Sequence, residues 1–98
     1  MECVFVYGTL RCPSCVEGVI GRTPERVTDL LRGFRRAKIR LGKALYPIIY
    51  PDANAEVEGY RLLVTAAELE LLDEYETDAY QRSRVTLVSG KEAWVYHG

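Results

Sequence analysis

A glutamate in the last third of the chain has the spacing expected of a buried acid. Thr65 and Glu68 form a capping-box pattern, which predicts that a helix begins there. Leu69, Leu72 and Glu76 then follow at i, i+3 and i+7, so Glu76 shares the apolar face of this helix. Burial disfavours the charged carboxylate and raises its pKa toward neutrality. Such a carboxyl group could take up and return a proton as a general acid and base.

Two other interpretations of Glu76 stay open at this point. The helix could end before Glu76, which would leave the carboxylate solvated, because helix boundaries are uncertain by several residues. Glu76 could also form a buried ion pair with Arg82 or Arg84. An ion pair of this kind would not exclude a catalytic role.

A glycine loop at the start of the chain could supply a second part of a site. The run Val4–Tyr7 is apolar, β-branched and aromatic, which is typical of a buried strand, and Gly8 interrupts it. Another group can approach the backbone closely at a glycine because no Cβ stands in the way. Backbone N–H groups in such a loop suit a small anion or a carbonyl oxygen. The alternative is that Gly8 and Thr9 only form a turn after a core strand.

Two cysteines with the spacing Cys12-Pro13-Ser14-Cys15 admit three interpretations. A redox dithiol is one, since a helix N-terminus lowers the pKa of a nearby thiol. Half of a zinc site is another, but Cys3 and His97 are the only further soft ligands. Because neither a βαβ pattern nor a second paired motif accompanies them, the pattern favours two incidental loop cysteines.

A short helix is predicted between the glycine loop and the middle of the chain. Thr23 and Pro24 are typical of a helix N-terminus. Val27, Leu30 and Leu31 follow on one face of this helix. Gly33 then lies where helices often end with a residue of positive φ.

The other apolar runs have the period or composition of strands. Pro47 within the run 45–50 suggests an edge strand or a bulge. Gly59 within the run 57–64 suggests a bulge or a close approach of another group to the backbone. A turn is predicted at 51–54, and the last two runs form a hairpin. The predicted strands lie at 37–41, 45–50, 57–64, 85–88 and 93–96.

Size and charge narrow the class of protein. Ninety-eight residues suit one globular domain. The chain has 13 basic and 14 acidic residues, so no net positive charge would attract nucleic acid. No apolar run is long enough to span a membrane, and the start lacks a basic signal region. We therefore expect a cytoplasmic protein with no nucleic-acid or membrane partner; the sequence does not predict its oligomeric state.

With both candidate elements in view, the sequence resembles the gamma-glutamylcyclotransferase-like family, especially its small branch that includes gamma-glutamylamine cyclotransferases. The residues Tyr7, Gly8, Thr9 and Leu10 are similar to the family's loop after the first strand. The segment 72–76, followed by 80–82, is similar to the family's helix end with the catalytic glutamate. Tyr46-Pro47 and the segment 57–60 match in kind and order. The ordered set spans nearly the whole chain.

The resemblance implies an α+β fold, a small mixed, partly closed β-barrel flanked by short helices. It also implies an intramolecular reaction, in which the α-amine of a gamma-glutamyl group attacks its own γ-carbonyl and releases 5-oxoproline and an amine. No metal or organic cofactor is needed. Glu76 corresponds to the general acid and base, Tyr7 to Leu10 to the substrate-binding loop, and Tyr80 and Arg82 to supporting residues.

Two features depart from the family pattern. Many members have glycine after the catalytic acid, whereas this chain has Thr77. The Cys12–Cys15 motif is not a family feature, so the loop could have a different shape there. A binding protein without turnover, or a thiol redox protein that uses Cys12 and Cys15, are the alternative functions.

Overall fold

A five-stranded mixed sheet forms the centre of the protein, and the computed structural model describes all residues, 1–98. The strand order is β2-β3-β1-β5-β4. A 3₁₀ turn at Thr9–Arg11 follows the first strand. The elements are β1 Glu2–Val6, α1 Pro13–Ile20, β2 Val27–Leu41, β3 Ala44–Val64, α2 Ala66–Glu76, β4 Gln81–Thr86 and β5 Glu92–His97.

The first strand is the central strand of the sheet. It pairs antiparallel with β3 and parallel with β5. Val4 and Val6 pack into one hydrophobic cluster, whereas Phe5 and Tyr7 pack into a second cluster on the opposite face. Both faces of β1 are therefore buried from Val4 to Val6, which explains why this part of its sequence is continuously apolar rather than alternating.

The sheet curls so that its distant strands approach each other. The Val88 N–H after β4 donates to the carbonyl of Leu30 in β2 at 2.9 Å. The Gly98 N–H donates to the carbonyl of Ile49 in β3, also at 2.9 Å. The result is a half-barrel with two helices, and the α+β, partly closed barrel predicted from the resemblance is confirmed. With 8 and 11 residues, α1 and α2 are both too short to span a lipid bilayer.

The capping box predicted at the start of α2 is confirmed. The Glu68 N–H donates to the Thr65 hydroxyl at 3.1 Å, and the Glu68 carboxylate accepts from the Thr65 N–H at 2.8 Å. Leu69 and Leu72 are the buried residues of this helix. Their burial fixes the rotation of α2 against the sheet and thus the direction of every later residue on that face.

The prediction of a helix after Thr23 is wrong, because the residues from Val27 onward form the strand β2. Leu31 is buried and pairs with Val57 of β3. Three apolar residues fit a helical period over so short a segment, but the long hairpin with β3 satisfies the backbone of β2 instead. Gly33 does have a positive φ, 90°. It lies at a β-bulge between Arg32 and Phe34 rather than at a helix end.

A helix that was not predicted, α1, follows the glycine loop. Pro13 occupies the first turn, and Gly21 ends the helix with φ 82°. Val16 is buried, and Val19 and Ile20 pack against the same cluster. This i, i+3, i+4 spacing after a proline was a usable signal. Cys12 and Cys15 therefore lie at the start of a helix rather than in a loop.

The predicted turn at 51–54 does not end a strand. The register with β2 passes from Pro51 to Glu56, so four residues of β3 bulge out of an otherwise continuous strand. Pro47 lies where β3 pairs only with β2, as expected for proline at a sheet edge. The C-terminal hairpin, formed by β4 and β5, is confirmed.

Candidate active site

A cavity of about 440 Å³ lies between the end of β1, the 3₁₀ turn and the end of α2. It brings together Glu76, Tyr80 and all four residues of the predicted binding loop. Most of its lining is apolar or aromatic. The lining residues are Phe5, Val6, Tyr7, Gly8, Thr9, Leu10, Leu41, Tyr46, Pro47, Tyr75, Glu76, Thr77, Tyr80 and Tyr96.

Glu76 is the last residue of α2, so the helix does not end before it. Its carboxyl group has neither an ion pair nor a hydrogen bond within the protein. The ion pairs considered as alternatives do not form, because Arg82 pairs with Asp73 and Arg84 with Glu92. Burial raises the pKa of Glu76 to about 7. At neutral pH, this carboxyl group is therefore poised between its protonated and ionised forms.

The raised pKa of Glu76 predicts a pH-dependent effect on stability. The folded state holds the Glu76 proton from its ordinary pKa of 4.5 up to about 7, so the stability contributed by Glu76 falls as pH rises through this window. Glu76→Gln removes this loss. The difference in unfolding free energy between the variant and wild type should therefore shift in favour of the variant by up to about 3 kcal/mol between pH 4 and pH 8. One pKa unit corresponds to about 1.36 kcal/mol.

Urea unfolding of both proteins at several pH values measures this difference. Glu74→Gln is the matched control, because Glu74 is an exposed carboxylate on the same helix. The difference in unfolding free energy between Glu74→Gln and wild type should stay nearly constant with pH. If the difference in unfolding free energy between Glu76→Gln and wild type is also independent of pH, the partly buried Glu76 carboxyl group does not hold its proton in this way.

The loop opposite Glu76 leaves several backbone donors free. The N–H groups of Gly8, Thr9 and Leu10 have no acceptor within the protein. Gly8 itself packs against β3, and a Cβ added there would lie 3.3 Å from both Cβ and Cγ of Pro47. Glycine thus allows the loop to pack closely against Pro47 beside the cavity.

Tyr7 contributes to the wall of the cavity, and its hydroxyl is already engaged. The hydroxyl donates to the backbone carbonyl of Tyr96 at 2.6 Å. Burial raises the pKa of Tyr7 above its ordinary value. The hydroxyl therefore stays protonated and joins β1 to β5 behind the cavity.

Tyr80 supports the glycine loop indirectly. Its hydroxyl donates to the carbonyl of Pro47 at 2.7 Å. Pro47 is the residue that contacts Gly8, so Tyr80 braces the loop through one intermediate residue. Burial, and secondarily the nearby Glu76 carboxylate, raise the pKa of Tyr80 to about 12.

Arg82 lies outside the cavity and acts on α2. Its guanidinium binds the Asp73 carboxylate at 2.7 Å and stacks over the Trp94 ring at 4.4 Å. The other Asp73 oxygen accepts from the Tyr96 hydroxyl at 2.7 Å. Asp73 precedes Glu76 by three residues, so this network holds the last turn of α2 against the sheet. Sequence reasoning missed Asp73 and Tyr96, because their partners come from different elements.

Two tyrosines that were not predicted as site residues line the mouth of the cavity. Tyr75 and Tyr46 are 46% and 41% exposed. The Tyr75 hydroxyl lies 3.3 Å from the Thr9 hydroxyl, within hydrogen-bonding distance, and links the end of α2 to the glycine loop. This contact therefore joins two walls of the cavity.

The departure at Thr77 has a conformational consequence. Thr77 has φ 62° and ψ −174°, a region in which glycine is strongly favoured.

Thr77→Gly should stabilise the protein by roughly 0.5–2 kcal/mol, after subtraction of the larger chain entropy of glycine in the unfolded state. This stabilisation should be measurable as a rise in melting temperature of several degrees. Thr77→Ala keeps the strained φ and is the control. If the glycine variant is no more stable than the alanine variant, the interpretation of strain is wrong.

The remaining candidate ligands are dispersed. Cys12 and Cys15 are exposed, whereas Cys3 is partly buried in β1. His97 contacts the Ser83 hydroxyl and the Gly98 carbonyl. No group of three or more His, Cys, Asp or Glu side chains is placed to hold a metal ion.

Comparison with known proteins identifies the class to which this fold and cavity belong. The model of the family described as "Gamma-glutamyl cyclotransferase, AIG2-like" matches residues 4–98. The chain belongs to this family.

The similar curated proteins come from Arabidopsis thaliana. AIG2-like protein A is 44% identical over 86 residues, which cover 87% of this chain and 51% of that protein. AIG2-like protein C is 40% identical over 86 residues, which cover 87% of this chain and 49% of that protein. The chain thus spans about half the length of these curated relatives.

Solved structures share the fold. A solution structure of an Arabidopsis thaliana protein has a TM-score of 0.87 and 36% identity, covering 98% of this chain and 67% of that one. A solved gamma-glutamyl cyclotransferase has a TM-score of 0.78 and 18% identity, covering 98% of this chain and 65% of that one. At that identity, the second likeness concerns the fold alone.

Proposed function

We propose that this protein is a cyclotransferase that converts a gamma-glutamyl amine or gamma-glutamyl amino acid to 5-oxoproline and the free amine. One observation carries the proposal: the unpartnered Glu76 carboxyl group shares a cavity with a loop whose backbone donors are free. The family membership supports the same chemistry.

Glu76 acts as the general base and acid in this reaction. The α-ammonium of the substrate becomes nucleophilic only when it loses a proton, which the ionised Glu76 carboxylate accepts. The amine nitrogen then forms a bond to the γ-carbonyl carbon. When the resulting tetrahedral intermediate collapses, the protonated Glu76 gives its proton to the leaving nitrogen, and the bond to that nitrogen breaks. The attacking nitrogen, now in the ring, loses its second proton to the regenerated carboxylate, which passes it to the released amine. A pKa of about 7 suits these transfers near neutral pH.

The glycine loop stabilises negative oxygen in the substrate or intermediate. No lysine, arginine or histidine lines the cavity. The free N–H groups of Gly8, Thr9 and Leu10 are therefore the available donors for an oxyanion or for the substrate α-carboxylate. We assign Tyr7 to the wall of this subsite.

Tyr80 and Arg82 are positioning residues. Tyr80 braces Pro47 behind the loop, and Arg82 holds the last turn of α2 through Asp73. The cavity walls hold the flexible gamma-glutamyl group folded, so that its amine and carbonyl lie within about 3–3.5 Å. These contacts require neither a metal nor an organic cofactor.

A panel of gamma-glutamyl amines and gamma-glutamyl amino acids, assayed for 5-oxoproline, tests the proposal. We expect product from at least one compound, with turnover dependent on Glu76. A thermal shift with these compounds but no product would instead indicate a small-molecule binding protein of the same fold. Neither a shift nor product from the whole panel would contradict both functions.

A further inference from the structure

Two exposed thiols lie in the first turn of α1, outside the cavity and unused by the proposed reaction. Cys12 is the residue just before the helix, and Cys15 follows in its first turn. The Cys15 N–H donates to the Cys12 carbonyl at 3.1 Å, so the two residues belong to one tight turn. Both side chains are accessible to small molecules in solvent.

The surroundings of the two thiols differ. The Cys12 sulfur lies 3.1 Å from the Ser14 hydroxyl. Hydrogen bonds, first from the Ser14 side chain and then from the Cys15 backbone, lower the pKa of Cys12 to about 7. The hydrogen bond with Cys12 raises the pKa of Cys15. Cys12 is thus the more acidic of the two thiols and the one suited to attack an external disulfide first.

The spacing also permits a bond between the two sulfurs. Cys12 has an extended backbone conformation just before the helix, with φ −80° and ψ 120°, and Cys15 lies in the first turn. A disulfide between them needs Cβ atoms about 3.5–4.5 Å apart. The required adjustment falls at an exposed helix start, where the contact with the Ser14 hydroxyl is what engages the Cys12 side chain. Cys3 lies in β1 and is partly buried, so it does not compete for this partner.

We propose that Cys12 and Cys15 form a reversible dithiol that exchanges with low-molecular-weight disulfides. The Cys12 thiolate attacks one sulfur of the external disulfide, forms a mixed disulfide and releases one thiolate. Cys15 then loses its proton and attacks the Cys12 sulfur, which releases the second thiolate. The pair is oxidised to an intramolecular disulfide by two electrons, and the external disulfide is reduced to two thiols. This inference does not depend on the proposed cyclotransferase reaction.

Incubation with defined mixtures of reduced and oxidised glutathione tests the exchange. After alkylation, mass spectrometry should show a Cys12–Cys15 disulfide and a free, alkylated Cys3. Cys15→Ser should accumulate one glutathione adduct on Cys12, because the resolving thiol is missing. Cys12→Ser should accumulate at least severalfold less adduct. Two free thiols in every mixture, or equal adducts in both variants, would overturn the proposal.

The alkylation rate at pH 7 gives a second test that does not require disulfide formation. Cys12 should react about fivefold faster than a thiol with the ordinary pKa, after allowance for the weaker nucleophilicity of a less basic thiolate. Ser14→Ala removes the neighbouring hydroxyl and should reduce this advantage. Unchanged alkylation of Cys12 in a folded Ser14→Ala variant would contradict the assigned role of Ser14 in the exchange.

Discussion

Glu76→Gln is expected to lower kcat for 5-oxoproline formation by about 10²–10⁴-fold, the range typical of a removed general acid and base. The carboxamide keeps the size of the side chain but cannot accept the α-ammonium proton. Glu74→Gln is the matched control, since it removes an exposed carboxylate from the same helix, and should retain turnover close to wild type. Equal activity of wild type and Glu76→Gln would contradict the assignment of the base.

The pH profile identifies the same group independently. Because the base must be ionised, kcat/KM of the wild type should fall as pH decreases below about 7. The residual kcat/KM of Glu76→Gln should not show this decrease below about pH 7. Urea unfolding of the variant over the same pH range separates this change from a loss of fold. A wild-type limb near pH 4.5 instead would place the titrating group in solvent.

Elements with strong local signals could be predicted from the sequence. The capping box at Thr65 and Glu68 fixes the start of α2, and the spacing of Leu69 and Leu72 fixes its buried face. The direction of Glu76 follows from these two facts. The buried character of β1 was also readable, because a central strand covered on both faces needs a continuous apolar run.

Elements that depend on distant partners could not be predicted in this way. Val27, Leu30 and Leu31 fit a helix locally, yet this segment forms a strand that pairs with β3. Gly33 was correctly expected to need a positive φ, but the same backbone conformation serves a bulge as well as a helix end. The local sequence pattern therefore predicts the backbone conformation of a single residue more reliably than it predicts whether that residue lies in a helix or a strand.

The candidate site shows the same division. Glu76 and the loop from Tyr7 to Leu10 were identified from their own sequence, and the structure places them around one cavity. The contacts that support them join residues far apart in the chain. Arg82 was assigned a supporting role, but its partner Asp73 was not identified, because helical periodicity says nothing of a β-strand that packs across the helix.

Gly59 is the glycine at which an added side chain would be most damaging. It lies in β3 beside β1, where its backbone approaches the residues that lead into the glycine loop. A Cβ at this position would overlap the Val6 carbonyl oxygen and would lie 2.8 Å from Cζ of Phe5. The oxygen belongs to the backbone of the central strand, and the ring is fully buried, so neither can move freely.

Gly59→Ala should therefore destabilise the protein by about 3 kcal/mol or more, the upper range for overpacking in a core. The melting temperature should fall by more than about 12 °C. Gly18→Ala is the matched control, because nothing lies within 4 Å of its added Cβ in α1, and alanine favours a helix. That variant should be at least as stable as wild type. Equal effects of the two substitutions would mean that β3 does not approach β1 this closely, and the placement of the loop beside Glu76 would lose its support.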